Sequence, residues 1–153
     1  AEVANFNSPE QTVITGEADK VARASAMLQE QGAKRVIPLD VSGAFHSSLM
    51  RPAAAKFEVE LKKAALQPSR LPILSNVDAK PAIDPEVIRR NLARQITSSV
   101  QWVDSVRNIA CAGVTTFLEI GPGNILKGLI RKIDPSMVVH NIRKPADIDA
   151  LPF

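Results

Sequence analysis

The chain has 153 residues, of which 45% are hydrophobic and 23% charged, and carries a net charge of +3. These values suit one folded domain of ordinary size, or a domain with a small lobe, and exclude wholesale disorder and a fibrous fold. One Trp, no Tyr and five Phe supply few base-stacking platforms, so no nucleic-acid partner is expected.

Val3 to Phe6 and Thr12 to Thr15 read as short strands joined by a turn at Asn7-Ser8-Pro9-Glu10. Thr15-Gly16-Glu17 opens a helix that runs to about Gln31. Val21, Ala24 and Leu28 form its apolar stripe and Gly32 its stop. Arg35 to Leu39 reads as a strand and Asp40 to Phe45 as a loop. From Ser48 to Leu66 the apolar spacing of Met50, Ala53, Ala54, Phe57, Leu61 and Ala65 predicts a long helix, with Pro52 tolerated in or near its first turn.

Leu71 to Leu74 is a short apolar strand. Asp84-Pro85 is a helix start, Asp as N-cap and Pro at the first helical position, and that helix should end near Gln95. Another helix carries Trp102, Val106 and Ile109 and closes at Gly113. Val114 to Ile120 is a strand. A tight turn at Gly121-Pro122-Gly123 leads to an amphipathic helix bearing Ile125, Leu126, Leu129, Ile130 and Ile133. Met137 to His140 is the last strand. Strands alternating with helices give an α/β class with parallel pairing.

No apolar run is long enough to cross a membrane, and Ala1-Glu2-Val3 does not open a signal peptide, so no membrane partner is expected, while a lone cysteine suits a reducing, cytoplasmic setting. The single cysteine, Cys111, excludes an internal disulfide and a Cys-based zinc site. Among the apolar residues late in its helix it reads as a core thiol. No metal-ligand cluster is visible.

Two histidines are candidates for chemistry. His140, in or beside the last strand, reads as structural. His46 lies in a loop just before a helix. A lone loop histidine is usually a surface or local hydrogen-bonding group. A catalytic imidazole needs a nucleophile on one nitrogen and an orienting acceptor on the other, and the sequence shows neither by inspection. The Gly-x-Ser-x-Gly elbow is absent. Gly121-Pro122-Gly123 lacks the spacing of a phosphate loop and reads as a turn.

Several segments nevertheless stand in a telling order: Ala4-Asn5-Phe6-Asn7-Ser8-Pro9, Gly43-Ala44-Phe45-His46-Ser47, Ser75-Asn76-Val77-Asp78-Ala79, Gln95 through Val100-Gln101-Trp102, and Phe117-Leu118-Glu119-Ile120-Gly121-Pro122-Gly123. Together they resemble the C-terminal half of the malonyl-CoA:acyl carrier protein transacylases, over nearly the whole chain. The resemblance implies a ping-pong transfer of malonyl from coenzyme A to a serine and then to the phosphopantetheine thiol of acyl carrier protein. It makes His46 the general base and gives Gln95 the backbone carbonyl that orients it. A carbonyl fixes the tautomer of the ring but stabilises imidazolium less than a carboxylate would. The coenzyme A thioester is a substrate, and no cofactor is implied.

By the same resemblance Phe45 excludes a 2-methyl branch from the acyl pocket, or else only packs the loop. Asn5 and Asn7 match positions beside the coenzyme A channel, and equally suit a turn before Pro9. Lys34 and Arg35 match a basic pair at the channel mouth, able to meet phosphates or an acidic carrier protein, and equally suit a solvated strand end.

The family's nucleophilic serine, oxyanion-hole amides and malonyl-binding arginine lie in its N-terminal half and have no counterpart here. The expectation is therefore a chain inactive alone, with a companion chain carrying that half. The implied fold is α/β, with residues 1–40 part of a ferredoxin-like subdomain and residues 41–153 the C-terminal part of a hydrolase-like core with a parallel sheet. Two alternatives stand: an acyltransferase piece of a polyketide or multifunctional synthase, and a non-catalytic module binding a ligand or an acidic protein.

Overall fold

Pro9 and Glu10 turn strand β1 (Glu2–Ser8) back into strand β2 (Gln11–Thr15), and Ser8 faces Gln11 across the turn. The pairing is antiparallel, with Glu2 opposite Thr15 and Phe6 opposite Thr12. The computed structural model describes residues 1–152.

Helix α1 (Ala18–Glu30) ends as its sequence predicts: Gly32 follows at φ +91°, a left-handed conformation open to a residue without Cβ. No residue of α1 is buried, and Leu28 of its apolar stripe is exposed. The strand expected from Arg35 to Leu39 does not form. That stretch joins no described sheet, and Ile37 and Leu39 are exposed. β-propensity alone does not make a strand; the backbone needs a ladder partner, and none of the described strands pairs with it.

The helix expected from Ser48 to Leu66 is shorter. A 3₁₀ turn (Ser48–Met50) leads into α2 (Arg51–Lys63), with Pro52 in the first turn. The carbonyls at the end of α2 are taken up from outside, by Arg89, which donates to Leu61 O and Ala64 O. The Leu71–Leu74 strand shrinks to β3 (Ile73–Leu74). Its antiparallel partner β4 (Pro81–Ala82) was unmarked in the sequence because two residues, one a proline, carry no period.

Helix α3 (Pro85–Arg94) begins at the expected cap. The Asp84 carboxylate accepts from Glu86 N at 2.8 Å and Val87 N at 3.0 Å. Helix α4 (Trp102–Cys111) closes at Gly113, φ +88°. Cys111 is exposed, not a core thiol: it lies on the last turn of α4, outside the helix face whose Val103, Ser105 and Val106 are buried.

Strand β5 (Thr116–Ile120), helix α5 (Ile125–Ile133) and strand β6 (Val138–Ile142) complete a parallel β-α-β unit, Thr116 opposite Val138 and Ile120 opposite Ile142. This is the α/β class with parallel pairing that the sequence indicates. The core gathers here: Val106, Ile130 and Val139 are almost fully buried, with Trp102, Phe117, Ile133 and Met137 packed around them. His140 pairs with Leu118 in the ladder.

Candidate functional site

The loop before α2 presents His46 at φ +60°, a left-handed conformation that costs a residue bearing a Cβ. Its neighbours hold it there. Ser47 is fully buried; its hydroxyl donates to Ala44 O at 2.6 Å and accepts from Leu49 N. Ser48 donates its N–H and its hydroxyl to the carboxylate of Glu2 on β1. Phe45 is half-exposed, and its ring edge lies where a side chain at Gly43 would touch it.

The other side of the site is the stretch after α3. Gln95 ends that helix, so its carbonyl is released from the helical ladder. The His46 ring meets it: Nδ1 lies 2.9 Å from Gln95 O and 3.2 Å from Ser98 O. Strand β1 fixes this stretch in turn. Val100 N donates to Ala4 O at 2.8 Å, Phe6 N donates to Val100 O at 2.9 Å, and the Ser99 hydroxyl donates to Val3 O at 2.6 Å. From the opposite side Gln101 N donates to Asn76 O at 2.9 Å, placing the Ser75–Ala79 segment beside it.

Two carbonyl oxygens can only accept, so Nδ1 carries the proton and donates. The neutral ring then keeps a lone pair on Nε2, which no described residue bonds. An imidazole so arranged can take a proton at Nε2 while the carbonyls hold its orientation.

The structure thus brings together His46 and Gln95, with Phe45 next in the chain and Asn5 bridged in parallel fashion to Val100. It leaves the others apart. Asn7 bonds Gln11 within the hairpin at 3.4 Å, and Lys34 and Arg35 are exposed with no ion pair among the described residues. Sequence reasoning missed Ser98, whose contribution is a backbone carbonyl without a side-chain signature. It also missed Glu2 and Ser48, which are 46 residues apart.

A separate open concavity of about 660 Å³ lies beside β6, lined by residues that include Lys127, His140, Arg143, Lys144 and Asp147 and none of the His46 cluster. The His46 arrangement is the better site, because there a proton acceptor is oriented by specific bonds. No group of three or more His, Cys, Asp or Glu among the described residues could hold a metal. No described helix is long and apolar enough to cross a membrane.

The family pattern described as the acyl transferase domain matches residues 2–140. The chain belongs to the acyl transferase domain family. The chain is 43% identical over 146 residues to the malonyl CoA-acyl carrier protein transacylase of Salmonella typhimurium, covering 95% of this chain and 47% of that protein. To the transacylase of Bacillus subtilis it is 40% identical over 148 residues, covering 97% and 47%. Among solved structures it is similar to a chain from the complex of a type II PKS acyl-carrier protein with its malonyl-transacylase. There the TM-score is 0.93 at 39% identity, covering 97% of this chain and 48% of that one. The acyl carrier protein S-malonyltransferase of Vibrio cholerae matches with TM-score 0.93 at 38% identity, covering 98% and 50%. The chain spans about half the length of the curated relatives it matches.

Proposed function

We propose that the chain is the base-bearing part of a malonyl-CoA:acyl carrier protein transacylase serving fatty acid synthesis in the cytoplasm. The observation that carries this reading is the 2.9 Å contact from His46 Nδ1 to the Gln95 carbonyl, which places the ring proton on Nδ1 and leaves the lone pair on Nε2. The similarity to transacylases over nearly all of the chain supports it.

In this reading a serine outside the chain attacks the malonyl thioester carbonyl. His46 Nε2 takes the serine proton as the oxygen–carbon bond forms. The imidazolium returns that proton to the departing coenzyme A sulfur as the carbon–sulfur bond breaks. The phosphopantetheine thiol of acyl carrier protein then gives its proton to His46 and attacks the malonyl-serine ester, and the serine oxygen leaves with the proton. Coenzyme A thioester and thiol are substrates, and no cofactor takes part. Phe45 bounds the acyl pocket, Asn5 and Asn7 border the coenzyme A channel, and Lys34 and Arg35 meet phosphates or the acidic carrier protein.

The finer architecture belongs to the same reading. Residues 1–40 are part of a ferredoxin-like subdomain, and residues 41–153 the C-terminal part of a hydrolase-like core. The remaining half, on a companion chain or a longer polypeptide, brings the serine and covers apolar surface. Ile120 is 76% exposed and Ile125 74%, values that suit an incomplete layer.

A transfer assay tests the proposal: malonyl-CoA and holo carrier protein are mixed with this chain and a polypeptide bearing the first half of the Bacillus subtilis transacylase. Transfer should require both polypeptides and fall about 10²–10⁴-fold with His46→Ala. Transfer unaffected by His46→Ala would refute it. One similarity favours a second reading, in which the carrier protein belongs to polyketide synthesis: that of the complex with a type II PKS acyl-carrier protein. Comparing the two kinds of carrier protein in the same assay separates them.

A further inference from the structure

Glu2 is the first residue of β1 and Ser48 the first of the turn that follows His46. The Glu2 carboxylate accepts from Ser48 N at 3.1 and 3.2 Å through its two oxygens, and from the Ser48 hydroxyl at 2.5 Å. These are charge-assisted bonds at a helical N-terminus, where amides lack internal partners and negative charge is favoured. They arrest the backbone two residues beyond a histidine held at φ +60°.

The same strand arrests the acceptors. Val3 O receives the Ser99 hydroxyl, Ala4 O receives Val100 N, and Phe6 N donates to Val100 O, immediately beyond the Ser98 carbonyl. Both halves of the His46–carbonyl contact are thus referenced to one short stretch of β1. Ladder bonds between backbones hold the carbonyl half. On the imidazole half, where Ser47 braces the loop internally, the link to β1 is the Glu2 side chain.

We infer that Glu2 is a positioning residue for His46: through Ser48 it keeps Nδ1 on the Gln95 and Ser98 carbonyls and so selects the neutral tautomer with its proton on Nδ1 and its lone pair on Nε2. This rests on the proposed role of His46 as base. Glu2 touches no reacting atom in that role. Its effect passes through Ser48 and the loop.

The test is nitrogen-detected NMR of the His46 ring on the full chain at alkaline pH, where the imidazole is neutral. In the wild type Nδ1 should resonate as a protonated ring nitrogen and Nε2 as a bare one. In Glu2→Ala the two signals should move toward each other as the other tautomer fills. Ser48→Ala, which loses only the hydroxyl bond, should move them less. Glu2→Gln keeps an oxygen that can accept from Ser48 and should stay near the wild type. A merely structural role would not give this order. The methyl signals of Val106, Ile130 and Val139 report whether the core is intact in each variant. If Glu2→Ala does not fold, Ser48→Ala decides by the same criterion. Unmoved ring signals in a folded variant, with a pinned wild type, would overturn the role of Glu2 alone. A wild-type ring already divided between tautomers would overturn the reading of His46 as an oriented base, and this inference with it.

Discussion

Glu119 on β5 reaches across to Asn141 on β6, whose side-chain amide donates to the carboxylate at 2.7 Å. The same carboxylate accepts from Leu126 N at 2.9 Å and Lys127 N at 3.0 Å, in the first turn of α5. One acidic side chain therefore ties both parallel strands to the helix that connects them, across the Gly121-Pro122-Gly123 turn. Desolvation opposes its charge. The backbone amides of Leu126 and Lys127, the Asn141 amide and the nearby Lys127 charge outweigh it, and the carboxyl titrates below the ordinary glutamate value. Glu119→Ala should lower stability by about 1–2 kcal/mol, the usual loss of a helix cap with its bonds, read as a shift of the urea midpoint. An unshifted midpoint would mean that water replaces these bonds at no cost.

Acid should find the same linkages. Hydrogen bonds from the Ser48 hydroxyl and N–H hold Glu2 below its ordinary value of 4.5, and those from the Ser136 hydroxyl and N–H hold Asp134 below 3.8. Asp147 is also lowered, by the amide of Arg143 first. A carboxyl with a depressed folded-state pKa contributes stability that is present above its unfolded value and lost as pH falls through the folded one. The melting temperature should therefore hold steady down to pH 4.5 and fall below it, for the glutamate values start there. Glu119→Gln should show a shallower acid fall than the wild type in a thermal melt series.

Ile130 is 2% exposed at the centre of the core. Ile130→Ala should cost about 2–5 kcal/mol, the transfer term plus the cavity left behind. Leu126→Ala, on the same helix but exposed, should cost far less. Denaturant unfolding of the pair separates the two.

Phe45 precedes His46 in sequence and is half-exposed. If its ring bounds the acyl pocket, Phe45→Ser makes room for a branch. The ratio of 2-methylmalonyl to malonyl transfer should then rise by about 10-fold or more in the two-polypeptide assay, the scale of one methyl group in a fitted pocket. A ratio unchanged in an active variant would confine Phe45 to packing the loop.

Elements that the sequence makes legible are those whose signal is local. Asp84-Pro85 specifies its cap by itself, Gly32 and Gly113 end helices through a conformation few other residues adopt, and β5, α5 and β6 announce their period. The Arg35–Leu39 stretch failed as a strand for the opposite reason: pairing is a property of two segments, and the described residues include no partner for it. Cys111 misled because apolar neighbours in sequence are not neighbours across a helix. At the site, His46 and Gln95 were legible only through the resemblance of whole segments. The Ser98 carbonyl has no side-chain signature, and the Glu2–Ser48 link joins residues that only folding brings together.

The most direct measurement is the intact mass of the polypeptides after brief exposure to malonyl-CoA. This chain alone should gain nothing. Mixed with the complementing first half, it should leave the malonyl adduct on the other polypeptide, and His46→Ala should slow the appearance of that adduct. A malonyl group found on this chain itself would contradict the account, because it would place the nucleophile here and not on the added polypeptide.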